Sequence, residues 1–426
     1  MSREVPEGWR DTSLGELILE MKGGGTPSRK IQRYWEGPIP WASVKDLKKP
    51  YLNATEEYIS EDGLSASASN IIPQGTIIIA TRMAVGRAVR FSCDVAINQD
   101  LRAIFPKNEL DINYLHHWLR WRETEISRLG SGTTVAGIRQ EVLKGLSFRI
   151  PPLHEQHKIA EVISSIDDAI AATQAVIEQT KKVKQATLEH LLTKGIGHTR
   201  FKQTEIGEIP EEWQVLSFNE LLLSDDITKI QDGNHGEIHP TTSDYQPTGI
   251  PFIMARDLID GSVDINNCAF ISKELAESLR VGKSYAGDIL LTHKGTIGRV
   301  AITPDVADYI MLTPQVTLYR VKDDGAIISA YLRDALENEP FQSALLKVSD
   351  QSTRKYVGIT EQKKIKIPVP SIREQHRICK IAQDLRDIER ENSNLLDKLR
   401  KVKSALMSDL LTGRKRVTDT LPLAAE

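Results

Sequence analysis

A basic loop rich in glycine near the start of the chain carries side chains that could bind phosphate. Residues 22–49 hold seven Lys and Arg residues against two acidic residues, a local charge of +5. Gly23, Gly24 and Gly25 would let a phosphate backbone approach closely, while neighbouring tryptophans could anchor the loop. A solvated turn with scattered lysines is the alternative. The candidate phosphate-binding residues here are Lys22, Arg29, Lys30, Arg33 and Lys45.

A second group of polar side chains surrounds a predicted buried strand and glycine-marked turn at residues 77–87, and a similar pattern recurs at residues 289–299. Arg can bind guanine through two hydrogen bonds, and Asn or Gln can pair with adenine edges. An ordinary surface position is the alternative for each residue. The candidates for contacts with bases or phosphates are Thr81, Arg82, Arg87, Asn98 and Gln99, then Arg256, His293, Lys294, Arg299 and Gln315.

Two later windows combine small hydroxyl residues with arginine, a combination that suits phosphate contacts. The first window, residues 130–139, contributes Thr133 and Arg139. The second contributes Arg354 and Lys355, and residues 347–366 around it hold six Lys or Arg residues against two acidic ones. A plain loop is the alternative for both windows.

A nearly neutral segment at residues 232–239 stands in the second half of the chain in place of the basic glycine-rich loop of the first half. Its side chains can form hydrogen bonds but carry little net charge. Asn234 and His235 are its candidate binding residues. His235 and His239 are four residues apart, a spacing that could form a metal pair on a helix. The glycines and Pro240 favour a loop, and no third ligand follows at metal spacing, so we predict no metal site.

Motifs of nucleotide-dependent catalysis do not occur in the sequence. Gly282-Lys283-Ser284 has Glu277 where a phosphate-binding loop requires its first glycine. An adenine methyltransferase would need an Asn or Asp followed by Pro-Pro and an aromatic residue, whereas Ile150 precedes Pro151-Pro152. The sequence therefore favours a binding subunit over an enzyme and predicts no cofactor in this chain.

The overall composition excludes some classes of protein. The 426 residues include 55 Lys and Arg against 58 Asp and Glu, a formal charge of −3, which excludes a uniformly basic surface. Three widely separated cysteines offer neither a disulfide framework nor a zinc motif. The absence of a long apolar run or a signal-peptide pattern predicts a cytoplasmic chain without a membrane partner.

The chain is an internal repeat of about half its length. Val5-Pro6-Glu7-Gly8-Trp9 resembles Ile209-Pro210-Glu211-Glu212-Trp213, and residues 150–197 align without a gap with 369–416. A period this long indicates two duplicated domains instead of a solenoid. The predicted domains are a first globular domain, a first helical region, a second globular domain, a second helical region and a tail, at residues 1–150, 151–198, 199–368, 369–416 and 417–426.

The last part of each copy has the pattern of a long helix that pairs with another. Apolar residues recur at alternating steps of four and three from Ile159 to Leu191 and from Ile378 to Leu410, which is typical of a coiled-coil seam. About 42 residues would make a rod of about 60 Å. Thr173, Lys184 and Asn392 interrupt the seam and favour a partner with matching polar positions. Packing of each helix onto its own globular domain is the alternative.

These patterns predict an α+β fold. Two similar mixed α/β domains would each be followed by a long α-helix, and the two helices would pair as an antiparallel coiled coil. Such pairing would relate the two domains by a pseudo-two-fold axis, the symmetry of duplex DNA.

Across essentially its whole length the chain resembles the specificity subunit of Type I restriction-modification enzymes. Each motif is weak alone, but their order and duplication are specific. The motifs that carry the resemblance are Gly24-Gly25-Thr26-Pro27 with Tyr34-Trp35, Ile39-Pro40-Trp41, Asn98-Gln99, Ile150-Pro151-Pro152-Leu153-His154-Glu155-Gln156, and Leu191-Leu192-Thr193-Lys194-Gly195-Ile196-Gly197 followed by Ile206-Gly207-Glu208-Ile209-Pro210 and Trp213.

The resemblance implies that each globular domain reads one half of a bipartite, asymmetric site in double-stranded DNA, with the helices as a spacer. It also implies two methyltransferase subunits as partners and restriction subunits for cleavage. S-adenosylmethionine, ATP and Mg²⁺ would belong to those partners. A coiled-coil scaffold or nuclease inhibitor without sequence-specific DNA binding is the alternative function, and a self-sufficient methyltransferase is a further one.

Overall fold

The computed structural model describes residues 5–130, 137–306, 308–350 and 356–417. The chain divides into two compact units. Unit 1 comprises residues 1–174 and 394–426, and unit 2 comprises residues 175–393. Each unit therefore contains one globular α/β domain together with one part of each of two long helices.

In unit 1 the strands form a five-stranded sheet of order β2-β10-β7-β8-β4, a four-stranded sheet of order β5-β3-β9-β6, and the pair β1-β11. The strands are β1 (Arg10–Ser13), β2 (Ile18–Gly23), β3 (Ile39–Ala42), β4 (Tyr51–Leu52), β5 (Glu57–Ile59), β6 (Asn70–Ile72), β7 (Ile77–Ala80), β8 (Ala88–Phe91), β9 (Val95–Ile97), β10 (Leu101–Pro106) and β11 (Ser147–Ile150). The helices are α1 (Leu14–Leu17), α2 (Glu61–Ser65), α3 (Ile112–Trp121), α4 (Glu123–Arg128), α5 (Gln140–Lys144) and the first part of α6 (Leu153–Thr193).

Unit 2 repeats the core of this topology, with a central sheet of four strands in place of five, in the order β15-β24-β21-β22, and a second sheet of order β19-β16-β23-β20. The pair β14-β25 matches β1-β11, and the pairs β12-β13 and β17-β18 are additional. The strands are β12 (Phe201–Thr204), β13 (Gly207–Pro210), β14 (Gln214–Ser217), β15 (Ile227–Asp232), β16 (Ile250–Ile253), β17 (Leu258–Ile259), β18 (Ser262–Val263), β19 (Ala269–Ile271), β20 (Lys283–Ser284), β21 (Ile289–Lys294), β22 (Thr296–Ile302), β23 (Ile310–Leu312), β24 (Val316–Val321) and β25 (Lys366–Val369). The helices are α7 (Phe218–Leu223), α8 (Lys273–Ser278), α9 (Ser329–Glu337), α10 (Glu339–Asp350), α11 (Ile359–Gln362) and α12 (Ile372–Leu410).

Strand β7 lies at the centre of the unit 1 core because both of its faces are buried. Its side chains alternate between faces, as in any strand. Ile77 and Ile79 belong to the apolar cluster that includes α3 and the start of α6. Ile78 and Ala80 belong to the cluster that the four-stranded sheet covers. The continuous apolar run of the sequence is therefore a strand buried on two sides, as predicted.

The long helices pair antiparallel within each unit. In unit 1, Ile159 and Ile163 of α6 share a core with Met407 and Leu410 of α12. In unit 2, the Lys184 ammonium of α6 pairs with the Glu389 carboxylate of α12. The predicted fold class, including the antiparallel coiled coil, is confirmed. Both compact units share the two helices, whereas the predicted domain limits assign each helix to a region of its own; those limits stay a proposal.

Two of the polar seam residues satisfy their hydrogen bonds within their own helix. The Thr173 hydroxyl donates to the Ala169 carbonyl at 2.8 Å, and the Asn392 amide donates to the Ile388 carbonyl at 2.8 Å. Only Lys184 of the three reaches an oppositely charged side chain on the other helix. The expectation of matching polar partners is therefore wrong for Thr173 and Asn392, since each can bond the preceding turn of backbone.

A glutamate, buried in unit 1 and partly buried in unit 2, joins the start of each long helix to the start of its own repeat. In unit 1 the Glu155 carboxylate accepts hydrogen bonds from the Trp9 indole at 3.0 Å and from the Arg416 guanidinium at 2.7 and 2.8 Å. In unit 2 the Glu374 carboxylate accepts from the Trp213 indole at 2.9 Å and from the Ile196 amide at 2.9 Å. The tryptophan and glutamate repeated in the sequence are thus partners in space.

The glutamine that follows each of these glutamates fixes the helix to the loop before α3 or α9. Gln156 donates to the Glu109 and Pro151 carbonyls, both at 2.9 Å, and accepts from the Asp111 amide at 2.8 Å. Gln375 makes the equivalent bonds, donating to the Ala326 and Pro370 carbonyls and accepting from the Ile328 amide. Neither glutamine is exposed to solvent, so the Glu-Gln pair is structural in both repeats.

The contact between α3 and α6 in unit 1 includes a cation on the globular domain and an anion on the long helix. Arg120 of α3 pairs with Asp167 of α6 at 2.9 Å, and Lys403 of α12 also contacts Asp167. Beside them His117 bonds the Ser164 hydroxyl at 3.0 Å. Asp167 therefore holds together three elements of unit 1.

The corresponding contact in unit 2 has the opposite polarity. Asp334 of α9 is completely buried and pairs with Arg386 of α12 at 2.9 Å. Asp334 aligns with His117, Arg386 aligns with Asp167, and Glu337 aligns with Arg120. Here the globular domain supplies the anion and the long helix supplies the cation.

The described part of the chain contains no helix that is both long and apolar enough to cross a membrane.

Replacing Glu155 with alanine is expected to lower the free energy of unfolding by about 2 kcal/mol, because the Trp9 indole would lose its acceptor in a buried place. Urea denaturation of the full chain, followed by tryptophan fluorescence, measures the loss. The control is Glu161→Ala, an exposed position on the same helix. Equal stability of the two variants would contradict the structural role of Glu155.

The buried histidines of α3 make the stability of unit 1 depend on pH. Burial lowers the pKa of His116 to about 3 and of His117 to about 4, and the Arg120 charge adds to both effects. In the unfolded chain each titrates near its usual value of 6.5. Below that value the unfolded state binds more protons than the folded state, so stability falls as the pH falls towards 4.

We therefore expect the free energy of unfolding to drop by about 2 kcal/mol between pH 6 and pH 5, beyond the contribution of carboxylates. Urea titrations at constant ionic strength measure this slope. His117→Gln removes one of the two titrating groups and is expected to roughly halve the drop. An unchanged slope in that variant would contradict the assignment.

Candidate nucleic-acid interface

Three segments that are distant in the sequence meet at one end of the central sheet of unit 1. The Thr81 amide donates to the Asp100 carbonyl at 2.8 Å, and the Ile138 amide donates to the Thr81 carbonyl at 2.9 Å. A further bridge joins Arg82 to Gly137. The loop after β7, the turn before β10 and the segment before α5 therefore lie side by side, and each carries predicted binding residues.

The glycine-containing loop packs against the same end of the sheet. A Cβ atom at Gly24 would lie 1.8 Å from the Ile97 carbonyl oxygen, so no other residue fits there. This close approach brings Thr26 to Gln99, and the Thr26 hydroxyl bonds the Gln99 side-chain oxygen. Unit 2 has the same arrangement, since a Cβ at Gly233 would lie 2.0 Å from the Thr313 carbonyl oxygen.

Two adjoining clefts open on this surface and share Gln99 in their walls. We call these two clefts together the unit 1 cleft, and its exposed polar lining is Thr26, Arg29, Lys45, Arg82, Gln99, Arg139 and Glu141. None of the described residues forms an ion pair or a hydrogen bond with the side chain of Lys45 or of Arg139. Arg82 lies 3.9 Å from Asp100, and its side chain is 62% exposed. Cations, an amide and the Glu141 carboxylate thus face solvent together.

Arg29 lies on the wall of the cleft, but its guanidinium is already occupied. It forms a two-pronged ion pair with Glu57, and its guanidinium carbon lies 3.5 Å from the centre of the Trp35 ring. The hydrogen bonds from Arg29 lower the pKa of Glu57, so the carboxylate stays charged. The expected anchoring of the loop by an aromatic residue is present, and Arg29 is the residue that it holds.

Two candidates at this surface have internal roles. Thr81 is buried, and its hydroxyl donates to the Asp100 carbonyl at 3.0 Å. Asn98 is buried, and its amide donates to the Asp100 carboxylate at 3.1 Å. Their side chains shape the turns that carry Arg82 and Gln99, and direct contact of either residue with DNA stays a prediction.

The remaining candidates in this domain are exposed but line neither cleft. Lys22 lies over the Phe105 ring, and Arg33 lies over the Tyr34 ring. Lys30 is fully on the surface. Arg87 donates to the Leu47 carbonyl at 3.2 Å and so supports the loop that carries Lys45.

Unit 2 brings its equivalent segments together in the same way. The His293 amide donates to the Gln315 carbonyl, and the Val357 amide donates to the His293 carbonyl, both at 3.0 Å. A bridge joins Lys294 to Tyr356. Exposed candidates here are Lys294, Gln315, Arg256, Arg299 and His235. The site geometry is therefore duplicated, although its side chains differ from those of unit 1.

Two unit 2 candidates are buried. The His293 ring is completely buried, bonds the Thr317 hydroxyl through Nδ1, and has its pKa lowered by burial. Asn234 is 1% exposed and donates to the Ile238 carbonyl at 2.8 Å. Each makes internal hydrogen bonds in this structure, and contact of either residue with DNA stays a prediction.

Arg299 and Gln315 both support the short helical turn that begins at Ala255. Arg299 is directed at the Ala255, Arg256 and Leu258 carbonyls at 3.2 to 3.4 Å. Gln315 accepts from the Ala255 amide at 3.3 Å. Arg299 thereby has the same supporting role as Arg87 in the first repeat.

Some sequence-based candidates cannot be placed. Thr133, Arg354 and Lys355 lie outside the described residues. Within the described ranges, no group of three or more His, Cys, Asp or Glu side chains is arranged to hold a metal ion, and the His235 ring bonds the Gly233 carbonyl at 2.8 Å.

Two residues at the cleft were not singled out by the sequence. Arg102 lines it and donates to the Gln99 carbonyl at 3.0 Å, which fixes the backbone of that turn. Met83 lines it with a side chain that is 68% exposed. Alignment of the two repeats could have indicated Met83, because it stands where the second copy has Gly295.

Comparison with known sequences now defines the class of this protein. The sequence profile of the Type I restriction modification DNA specificity domain matches residues 6–182 and 210–401. These two stretches cover most of the chain, which therefore belongs to this family. One match falls largely in each repeat, in agreement with the duplicated sheets.

Individual relatives have similar full lengths. The MjaVIII and MjaIX specificity subunits of Type I restriction enzymes from Methanocaldococcus jannaschii are 24% and 26% identical to the chain. The alignments cover 97% and 98% of this chain and 94% and 95% of the relatives. The EcoBI specificity subunit of Escherichia coli is 27% identical, with 96% of this chain and 86% of the relative covered.

Solved structures share the fold. The S subunit of a Type I restriction-modification system from M. genitalium superposes with a TM-score of 0.57 at 15% identity, covering 96% of this chain and 98% of the other. A chain from a study of complex assembly and conformational transition in the type I R-M system superposes with a TM-score of 0.59 at 16% identity. The superposition covers 97% of this chain and 100% of the other.

Proposed function

We propose that this chain is the DNA-recognition subunit of a Type I restriction-modification enzyme and that each unit reads one half of a bipartite, asymmetric site in double-stranded DNA. The observation that supports this function best is the duplicated site. Both units use one sheet topology to bring the same three segments together, and in each an exposed cation and an exposed glutamine lie on neighbouring loops: Arg82 and Gln99, or Lys294 and Gln315.

Different side chains on equivalent loops account for the asymmetry of the site. Cations position the duplex through its phosphates, whereas Arg and Gln distinguish bases through paired hydrogen bonds in the major groove. Unit 1 has Thr26 and Lys45 in the glycine loop region, where unit 2 offers His235 and Arg256. Two surfaces with the same backbone and different donors and acceptors would select different half-sites.

We propose further that the paired helices set the distance between the half-sites. Helix α6 is continuous over 41 residues and α12 over 39, and each contributes to both units. A helix changes length by 1.5 Å per residue and resists bending over a few turns. The length of the helices would thus determine the number of unread base pairs.

The methyltransferase subunits would dock on apolar residues that the helices leave exposed. On α12, Ile381, Ile388, Leu395 and Val402 recur every seven residues and are 37% to 49% exposed. On α6, Val176 and Val183 have the same spacing and similar exposure. A heptad stripe outside the existing seam is suited to pack a further helix.

In this proposal the chain itself carries no catalytic group. S-adenosylmethionine would bind to the methyltransferase subunits, and ATP and Mg²⁺ would act in the restriction subunits. The complex would work in the cytoplasm, where its DNA is.

Sequencing of methylated adenine in the host, with and without this gene, tests the function. We expect one bipartite motif to lose its methylation when the gene is deleted and to regain it on complementation with the full chain. If every methylated motif persists, the proposal is wrong. A scaffold or nuclease inhibitor would in addition select no sequence from random duplex oligonucleotides.

Inserting one heptad into each helix, after residues 174 and 393, tests the spacer. Seven residues add about 10 Å, so the methylated motif is expected to gain about three unread base pairs while its specified bases stay the same. The matched control inserts the same seven residues after Asp323, in the exposed turn between β24 and α9, which should leave the spacer unchanged. A constant spacer in the helix variant would contradict the proposal.

A further inference from the structure

Met83 occupies a backbone conformation that its side chain disfavours. Its φ is +62°, in the left-handed region, where the Cβ atom crowds the following carbonyl oxygen. Among the described non-glycine residues only Asp225 and Asp260 share a positive φ, and aspartate tolerates it because its short polar side chain can bond the local backbone. Methionine has no such compensation.

The second repeat shows that the loop itself does not require methionine. Gly295 stands at the equivalent place with φ +76°, and a Cβ atom there would meet nothing within 4 Å. The next positive φ also matches, with Gly86 and Gly298 both at +91°. The two loops therefore have the same pattern of left-handed positions, and glycine satisfies the first of them in unit 2 without strain.

Packing within the protein does not explain the strained residue either. The Met83 side chain is 68% exposed, although it is apolar and long enough to reach a core. It lies on the wall of the unit 1 cleft with Lys45 and Gln99, and it follows Arg82 directly in the chain. Strain that local packing does not offset is characteristic of functional positions.

The surroundings indicate what an apolar group could contact there. The cations of the cleft would attract a phosphate backbone, and a side chain projecting between them would then face the groove. DNA offers two apolar surfaces in its grooves, the 5-methyl group of thymine and the faces of bases at a deformable step. Methionine is unbranched and polarisable, so it adapts to either surface.

We propose that Met83 is a specificity-determining residue of unit 1 whose side chain makes an apolar contact with one base pair of the half-site that this unit binds. The proposal rests on the DNA-recognition function proposed above. Gly295 cannot make such a contact, so the two units would differ in how they read the base pair at this position.

Two variants separate the side chain from the strain. Met83→Ala removes most of the side chain but keeps the strained backbone, whereas Met83→Gly removes both. The matched control is Leu19→Ala, since Leu19 is 74% exposed in the same unit and does not line the cleft. All chains are prepared in full length with the methyltransferase subunits from the same operon.

Base preference is measured by selecting bound sequences from random duplexes, and affinity is measured by fluorescence anisotropy. Both Met83 variants are expected to bind the selected site about tenfold more weakly and to lose preference at one base pair of one half-site, as for one lost base contact. Binding to a scrambled duplex should stay within about twofold, because phosphate contacts remain. The melting temperature of Met83→Gly should equal or exceed that of the unaltered chain, since strain is relieved.

Unchanged base preferences in both variants would overturn the proposal, and so would a melting temperature of Met83→Gly that falls together with its affinity, because that would show a structural role. Loss of binding to the methyltransferase subunits with intact DNA preferences would also overturn it, by assigning Met83 to a protein contact. If the unaltered chain selects no sequence at all, the proposed function fails instead.

Discussion

The hydrogen bond between a buried or largely buried carboxylate and a tryptophan indole is the constraint on which each unit depends. Glu155 ties the start of α6 to Trp9 and to Arg416 near the end of the described chain, and Glu374 ties the start of α12 to Trp213. A buried carboxylate that lost these donors would keep its full desolvation cost. Each helix therefore has one favourable way to leave its globular domain.

The recognition surface follows from the sheet that this junction supports. Strand β7 is apolar on both faces, so it can only lie between two cores, and the loop that follows it is forced to the edge where Asp100 and Ile138 arrive. Polar side chains that point inward there, such as Thr81 and Asn98, hold the turns. Those that point outward, such as Arg82 and Gln99, are left for a ligand.

Periodic and repeated features of the fold could be predicted from the sequence, and the directions of single side chains could not. The heptad seam and the matching Glu-Gln pairs identified the helices and the duplication because period and repetition are visible in one dimension. Residue type alone did not separate Arg82, which faces solvent, from His293, which lies in a buried network with Thr317. Arg29 looked free in the sequence because its partner Glu57 is 28 residues away.

The reversed polarity of the contacts between domain and helix limits how such a chain can be reshuffled by recombination. If the globular part of unit 2 were joined in front of α6, Asp334 and Glu337 would meet Asp167 in place of Arg386. Acidic groups would then face one another where each unit now pairs an acid with an arginine, and Lys403 of α12 would be left beside Asp167 as a counter-charge. A domain that carried the first turns of its own helix would bring its counter-charge with it. The part that can be exchanged with the fold intact is thus a domain together with the beginning of its helix. The junction between exchangeable parts lies inside α6 and α12, beyond the end of either sheet.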